Sequence, residues 1–137
     1  MISPAPTIQI PSIARCALLI LVVKILLKAS GFGGTMRCLR RQLAFSHTSS
    51  EVAPEIAQRI ERAVATAGAL YPGRGLCLEQ SLVLYYILRR RGLAARYCQG
   101  VQSYPFTAHA WVEYQGTPLN DVPEHVGRLA RLPDLLP

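Results

Sequence analysis

An α+β domain is what this sequence predicts, and three observations carry the prediction. Apolar residues recur at helical spacing up to about Arg91 and alternate at strand spacing after Ala95. The strongest helical stretch, LCLEQSLVLYYILRRR from Leu76 to Arg91, falls between the two regimes. Half of the 137 residues are hydrophobic and only 17% are charged, a balance that suits one packed domain and excludes a disordered chain.

Residues 1–12, with three prolines and no charge, predict an extended arm. Residues 13–29, IARCALLILVVKILLKA, predict an apolar helix ended by Gly31, Gly33 and Gly34. Its unbroken apolar run, Cys16 to Val23, is short of the ~20 residues a membrane span needs. Lys24 and Lys28 and a poor cleavage site argue against a signal peptide. Packing on the domain is the expectation, with peripheral membrane contact as the alternative. Residues 35–47 predict a short basic helix, completing an apolar and basic N-terminal section, 1–50, ahead of a catalytic core, 51–137, within a single domain. Ser49, Ser50, Glu51 and Pro54 suit the start of the next helix, which runs to about Ala69 and buries Ile56, Ile60, Val64 and Ala67.

In the central helix Leu78, Leu82, Tyr85, Tyr86 and Leu88 mark the helical period. Gly73 and Gly75 precede it in a turn, and Gly92 follows as a left-handed cap behind three arginines. Cys77 therefore lies in the first turn, where unpaired N–H groups and the helix dipole favour a thiolate. After it come strands at Ala95–Val101, Ala108–Tyr114 and Thr117–Val122, and a tail with one helical turn near Val126–Leu132. The sheet is expected to be antiparallel, with the central helix lying across it and its first turn at the sheet's open end.

A cysteine in a helix is usually a small core residue, a strand histidine beside tryptophan usually a buried one, and Asp after Asn usually a turn residue. Taken together, Cys77, His109 and Asp121 form a candidate nucleophile, base and orienter. Glu113 shares the face of His109 but is four residues along the strand, roughly 13 Å away. Asp121 lies opposite His109 if the hairpin turns on a three-residue loop, Tyr114-Gln115-Gly116, with Gly116 at positive φ. A two-residue loop would put Asp121 on the other face. The Cys77 N–H is the expected oxyanion donor, with Gln80 and Trp111 as candidates for a second.

The four cysteines, Cys16, Cys38, Cys77 and Cys98, make no CxxC pair, so neither a zinc signature nor a disulfide framework is expected. A Cys77–His109–Cys98 metal site lacks a fourth ligand with recognisable spacing. No metal and no cofactor is expected, and reduced thiols point to the cytoplasm.

The stretches CLEQSLVLYYILRRRG and GVQSYPFTAHAWVEYQGTPLND resemble the transglutaminase-like cysteine proteases of lasso-peptide biosynthesis, the leader peptidases that form the protease portion of the B-protein. The likeness covers about residues 70–122. It implies a papain/transglutaminase-like fold, with Cys77 as nucleophile, His109 as base and Asp121 as orienter. It implies removal of the leader from a ribosomally made precursor, and a separate ATP-using cyclase that closes the released core. Residues 1–50 do not look like the strand-rich leader-binding domain of that family, so the resemblance implies a separate leader-binding protein.

Two other function classes fit the same residues. A transglutaminase-like transferase would pass the acyl group to an amine instead of water. The net charge of +7 also suits a non-enzymatic basic adaptor that attaches to an anionic partner. No aromatic RNA-binding motif and no helix-turn-helix occurs, so no nucleic-acid partner is expected.

Overall fold

The computed structural model describes residues 8–44, 51–72 and 77–136. In chain order these form α1 (Ile13–Leu43), α2 (Pro54–Gly68), α3 (Cys77–Arg90), β1 (Ala95–Ser103), β2 (Phe106–Tyr114), β3 (Thr117–Pro118), α4 (Pro123–Val126) and β4 (Ala130–Arg131). The strands make one antiparallel sheet in the order β3-β2-β1-β4. The class is α+β, as expected.

Helix α1 differs from its expectation. Ser12 caps it, its hydroxyl accepting from the Arg15 N–H at 3.1 Å. Gly31, with φ 69° and ψ −179°, breaks the helical path at one residue only, and the helix resumes to Leu43. Gly31 thus kinks the helix where an end was expected, and Gly33 and Gly34 are helical. Buried Thr35 helps the resumption, its hydroxyl donating to the Gly31 carbonyl at 2.8 Å. By length and composition α1 can cross a membrane: its most apolar window has mean hydropathy 2.0 and is 17% buried. The sequence expectation that this segment is too short to span therefore does not hold. Cys16, Ile20 and Val23 are buried in the core, while Leu18, Leu21, Val22 and Ile25 are exposed.

In α2, Ile60, Val64 and Ala67 are buried as expected, while Ile56 is only half-buried. The N-cap is Ala53, which gives no side-chain bond; Pro54 occupies the first turn, where its missing N–H costs nothing. Ser49 and Ser50, and the turn at Gly73 and Gly75, lie outside the described residues.

Helix α3 is the centre of the molecule. Ser81, Leu82, Val83, Leu84, Tyr85, Ile87 and Leu88 are all buried, because α1 and α2 cover one side and the sheet the other. An apolar stripe of normal width would not serve a helix enclosed this way. It ends in a Schellman cap: the Leu93 N–H reaches the Leu88 carbonyl at 3.0 Å and the Gly92 N–H the Arg89 carbonyl at 3.0 Å. Gly92 takes φ 82°, a conformation that costs only glycine nothing.

The sheet sorts side chains by alternation. Ala110, Val112 and Tyr114 join the α3 core, while Trp111 packs on the far face with Cys98 and Leu129. The tail, expected to be irregular, adds β4, which pairs Arg131 with Gly100 and Ala130 with Val101. The expected helical turn is α4, displaced toward Pro123.

Candidate active site

Cys77 opens α3 and is half-buried. A cavity of about 250 Å³ lies between this helix start and the sheet, lined by Cys77, Leu78, Gln99, Gly100, His109 and Leu132 among others. Cys77 and His109 thus meet at one cavity although 32 positions separate them in sequence, 109 − 77. Gly100 is the cross-strand partner of His109. A Cβ there would stand 2.8 Å from the Leu129 Cβ and 3.1 Å from the Trp111 ring, so this position admits no side chain without displacing both.

His109 shares the far face of β2 with Trp111, as the alternation predicts, and the two rings stack with centroids 6.3 Å apart at 18°. Its Nε2 makes a close ionic contact with the Asp121 Oδ2. That contact is off hydrogen-bond direction, so Nε2 is buried without a hydrogen-bond partner. With Nε2 turned to the carboxylate, Nδ1 is the ring nitrogen that does not face Asp121. The tautomer is inferred from this arrangement.

Asp121 reaches His109, but not by the predicted strand register. The hairpin has a two-residue loop: Tyr114 pairs with Thr117 and Glu113 with Pro118. Gln115 at φ 53° and Gly116 at φ 79° are both left-handed, the signature of a type I′ turn. Extended further, this register would turn Asp121 away. It is not extended, because β3 stops at Pro118. The Leu119 N–H still reaches the Val112 carbonyl at 2.9 Å. Asn120 then replaces the next rung with its side chain, its Oδ1 accepting from the Val112 N–H at 2.8 Å. The strand expected over Thr117–Val122 is therefore two residues and a bend, and the bend swings Asp121 back to the His109 side.

The same asparagine donates through Nδ2 to the Ser81 hydroxyl at 2.8 Å, and Ser81 donates to the Ala110 carbonyl at 3.1 Å. Ser81 is fully buried and lies one helical turn after Cys77. This chain of bonds ties the helix of Cys77, the strand of His109 and the bend of Asp121 to one another. Each member is a buried or part-buried polar group that would be costly unpaired.

The Asp121 carboxylate has further partners. It accepts from the Val122 N–H at 2.7 Å and contacts the His125 Nδ1 at 2.8 Å. Burial alone would raise its pKa; the Val122 N–H, the His125 hydrogen bond and the two imidazoles outweigh burial and hold it below the usual carboxylate value.

The other candidates have surroundings of their own. The Gln80 side chain packs against Gly68 of α2, where an added Cβ would lie 2.1 Å from its Nε2. The Trp111 Nε1 donates to the Glu113 Oε2 at 2.9 Å. The Cys98 thiol accepts from the Arg131 guanidinium at 2.6 Å and belongs to the Trp111 and Leu129 cluster, which removes it from a shared site with Cys77. Burial and the nearby Glu113 push the Cys98 thiol up to about 11, against the pull of Arg131 and Arg96. Sequence reasoning missed Ser81, Asn120 and His125. Only His125 left a signal: it is four residues after Asp121, a spacing that shares one side of a turn.

The sequence comparisons bear on this geometry. Over 59 residues the chain is 36% identical to the microcin J25-processing protein McjB of Escherichia coli. That stretch is 43% of this chain and 28% of McjB, so the likeness spans under a third of the relative. No solved structure matches the chain. The model of the transglutaminase-like superfamily matches residues 19–134, which takes in α3, the sheet and most of α1. The chain belongs to the transglutaminase-like superfamily.

Proposed function

We propose that the protein is a cysteine endopeptidase that removes the leader from a lasso-peptide precursor. The observation that carries the reading is the meeting of Cys77 and His109 at one cavity, with the Asp121 carboxylate on the far nitrogen of that imidazole. The likeness to a microcin-processing protein supports the substrate class.

The chemistry follows from these positions. Cys77 Sγ attacks the scissile carbonyl, with the Cys77 backbone N–H as oxyanion donor. Imidazolium His109 gives its proton to the leaving amine, which becomes the N-terminus of the core. His109 then takes a proton from water, whose oxygen attacks the thioester and frees the leader. Asp121 fixes the imidazole orientation and stabilises its charged form. The reaction needs no cofactor. A leader-binding protein supplies substrate capture, and a lasso cyclase consumes the released core. The four unpaired thiols suit action in the cytoplasm.

Mass analysis of a precursor incubated with the chain tests this. The expected product is a peptide cut at the leader–core boundary. It should form faster when a leader-binding protein is added at low substrate, through effective concentration, and should be absent with Cys77→Ala. A product joined to an amine identifies a transferase instead, and undiminished cutting by Cys77→Ala overturns the reading.

A further inference from the structure

His109 is shared between two settings. One is the cavity with Cys77. The other is a cluster on the far side of Asp121, where the donor atoms of His109, Asp121 and His125 all lie within 4.8 Å of one another. The His109 and His125 ring centroids are 5.0 Å apart. The Asp121 carboxylate stands between them, in contact with Nε2 of His109 and Nδ1 of His125.

We propose that His109, Asp121 and His125 form a binding site for a borderline transition-metal dication of the Zn²⁺ class. We also infer that filling it silences the base of the cavity, a consequence that rests on the peptidase reading above. Two imidazole nitrogens and one carboxylate oxygen are a donor set zinc favours, and they leave a fourth position open to water. Tetrahedral zinc with bonds of about 2.0–2.1 Å spaces its ligand atoms by about 3.3 Å. The three donors here need small side-chain rotations to reach that spacing, since the His125–Asp121 contact is 2.8 Å.

The state of the His109 Nε2 fits this reading. It faces the cluster, in ionic contact with the Asp121 Oδ2 but without an aligned hydrogen bond. A metal on its lone pair would replace that misaligned contact with a directed bond. The entry side is His125, whose side chain is 41% exposed, against 20% for His109 and 10% for Asp121.

The coupling to the cavity follows from proton placement. A neutral imidazole has one N–H and one lone pair. With zinc on Nε2, the lone pair is there and the proton is on Nδ1. Nδ1 can then no longer accept a proton from Cys77 or water. The metal also neutralises the Asp121 carboxylate. Metal site and base therefore cannot both be in use.

The test uses full-length protein carrying Cys77→Ala, so that no thiol at the cavity takes part and no activity is read. Zinc is titrated by calorimetry and by competition with a chromophoric chelator. The expected result is one Zn²⁺ per chain, with magnesium giving none. His125→Gln in the same background should weaken zinc by at least ~10-fold, since losing a direct ligand costs no less than losing an outer-shell partner. Histidine ¹⁵N spectra of the Cys77→Ala protein keep the test independent of how His125→Gln folds. Zinc should shift Nε2 of His109 and Nδ1 of His125. No zinc uptake, unmoved imidazole signals, or equal affinity with folded His125→Gln would each overturn the site. Zinc binding as described, with a wild-type protein that cuts precursor at the same rate when loaded, would overturn the coupling alone.

Discussion

The four thiols have different surroundings, and these decide reactivity. Cys98 is buried beside Arg131, and burial with Glu113 pushes its pKa up to about 11. Burial also raises Cys16. Cys77 lies at a helix start and at the mouth of a cavity it shares with His109. Iodoacetamide near neutral pH should therefore label Cys77 before Cys16, Cys38 or Cys98. Peptide mapping reads the order, and faster labelling of Cys98 would contradict this account of the cavity. Asp121 acts through His109, so its loss should cost less than loss of the nucleophile. Asp121→Asn should fold normally and slow cleavage by about 10- to 1000-fold, below the ~10⁴ that replacing the orienting Asp with Asn costs a serine protease triad. A thiolate–imidazolium pair can form before substrate arrives, which lessens the need for an orienter. Cleavage kinetics at saturating precursor check it; an unchanged rate would leave Cys77 and His109 as a pair without Asp121.

At the scale of elements, the hairpin after β2 shows what the sequence reveals and what it hides. Alternation placed His109 and Trp111 on one face of β2, and the helical period placed Cys77 at the start of α3; both are local patterns. The link between His109 and Asp121 was legible in residue type but not in geometry. Gly116 does take positive φ, as the three-residue loop required, but Gln115 does too, and the loop is two residues. Asp121 comes to His109 because Asn120 ends the ladder with its side chain, a substitution that no periodicity marks. Ser81 was hidden for the same reason, since its value lies in bonds to residues 29 and 39 positions away. Asn120→Ala should strip the Val112 N–H of its acceptor and Ser81 of its donor. The expected cost is about 1–3 kcal/mol of stability, with slower cleavage as Asp121 loses its support. Thermal unfolding and kinetics on one sample check both, and a variant equal to the parent in each would show that this clamp does not hold the site.

Across the whole molecule, α1 and α2 form the frame, while the start of α3 and the sheet bring Cys77 and His109 to one cavity. Helix α3 is enclosed by α1, α2 and the sheet, so its first turn is held at a fixed place above β1 and β2. The helical period at Leu78, Leu82, Tyr85, Tyr86 and Leu88 marked the helix, but not its enclosure by α1 and α2. The contribution of the tail was hidden as well: β4 is two residues long and pairs with β1 beside Leu129 and Val126, which pack on the Trp111 face. The run of α1 through Gly31 was equally hidden, since a glycine can kink a helix or end it, and packing around buried Thr35 and Met36 decides which. The exposed apolar flank of α1 stands apart from the cavity and shares no residue with its lining.

The central claim is that Cys77 forms the bond that splits the precursor. Rapid acid quenching of precursor, leader-binding protein and this chain, followed by intact-mass and peptide mapping, tests it most directly. The account predicts a transient thioester of the leader on Cys77, one per chain, that is absent with Cys77→Ala and does not build up with His109→Ala, which lacks the proton for the leaving amine. Cut precursor appearing with no such adduct, at a rate that Cys77→Ala leaves intact, would contradict it.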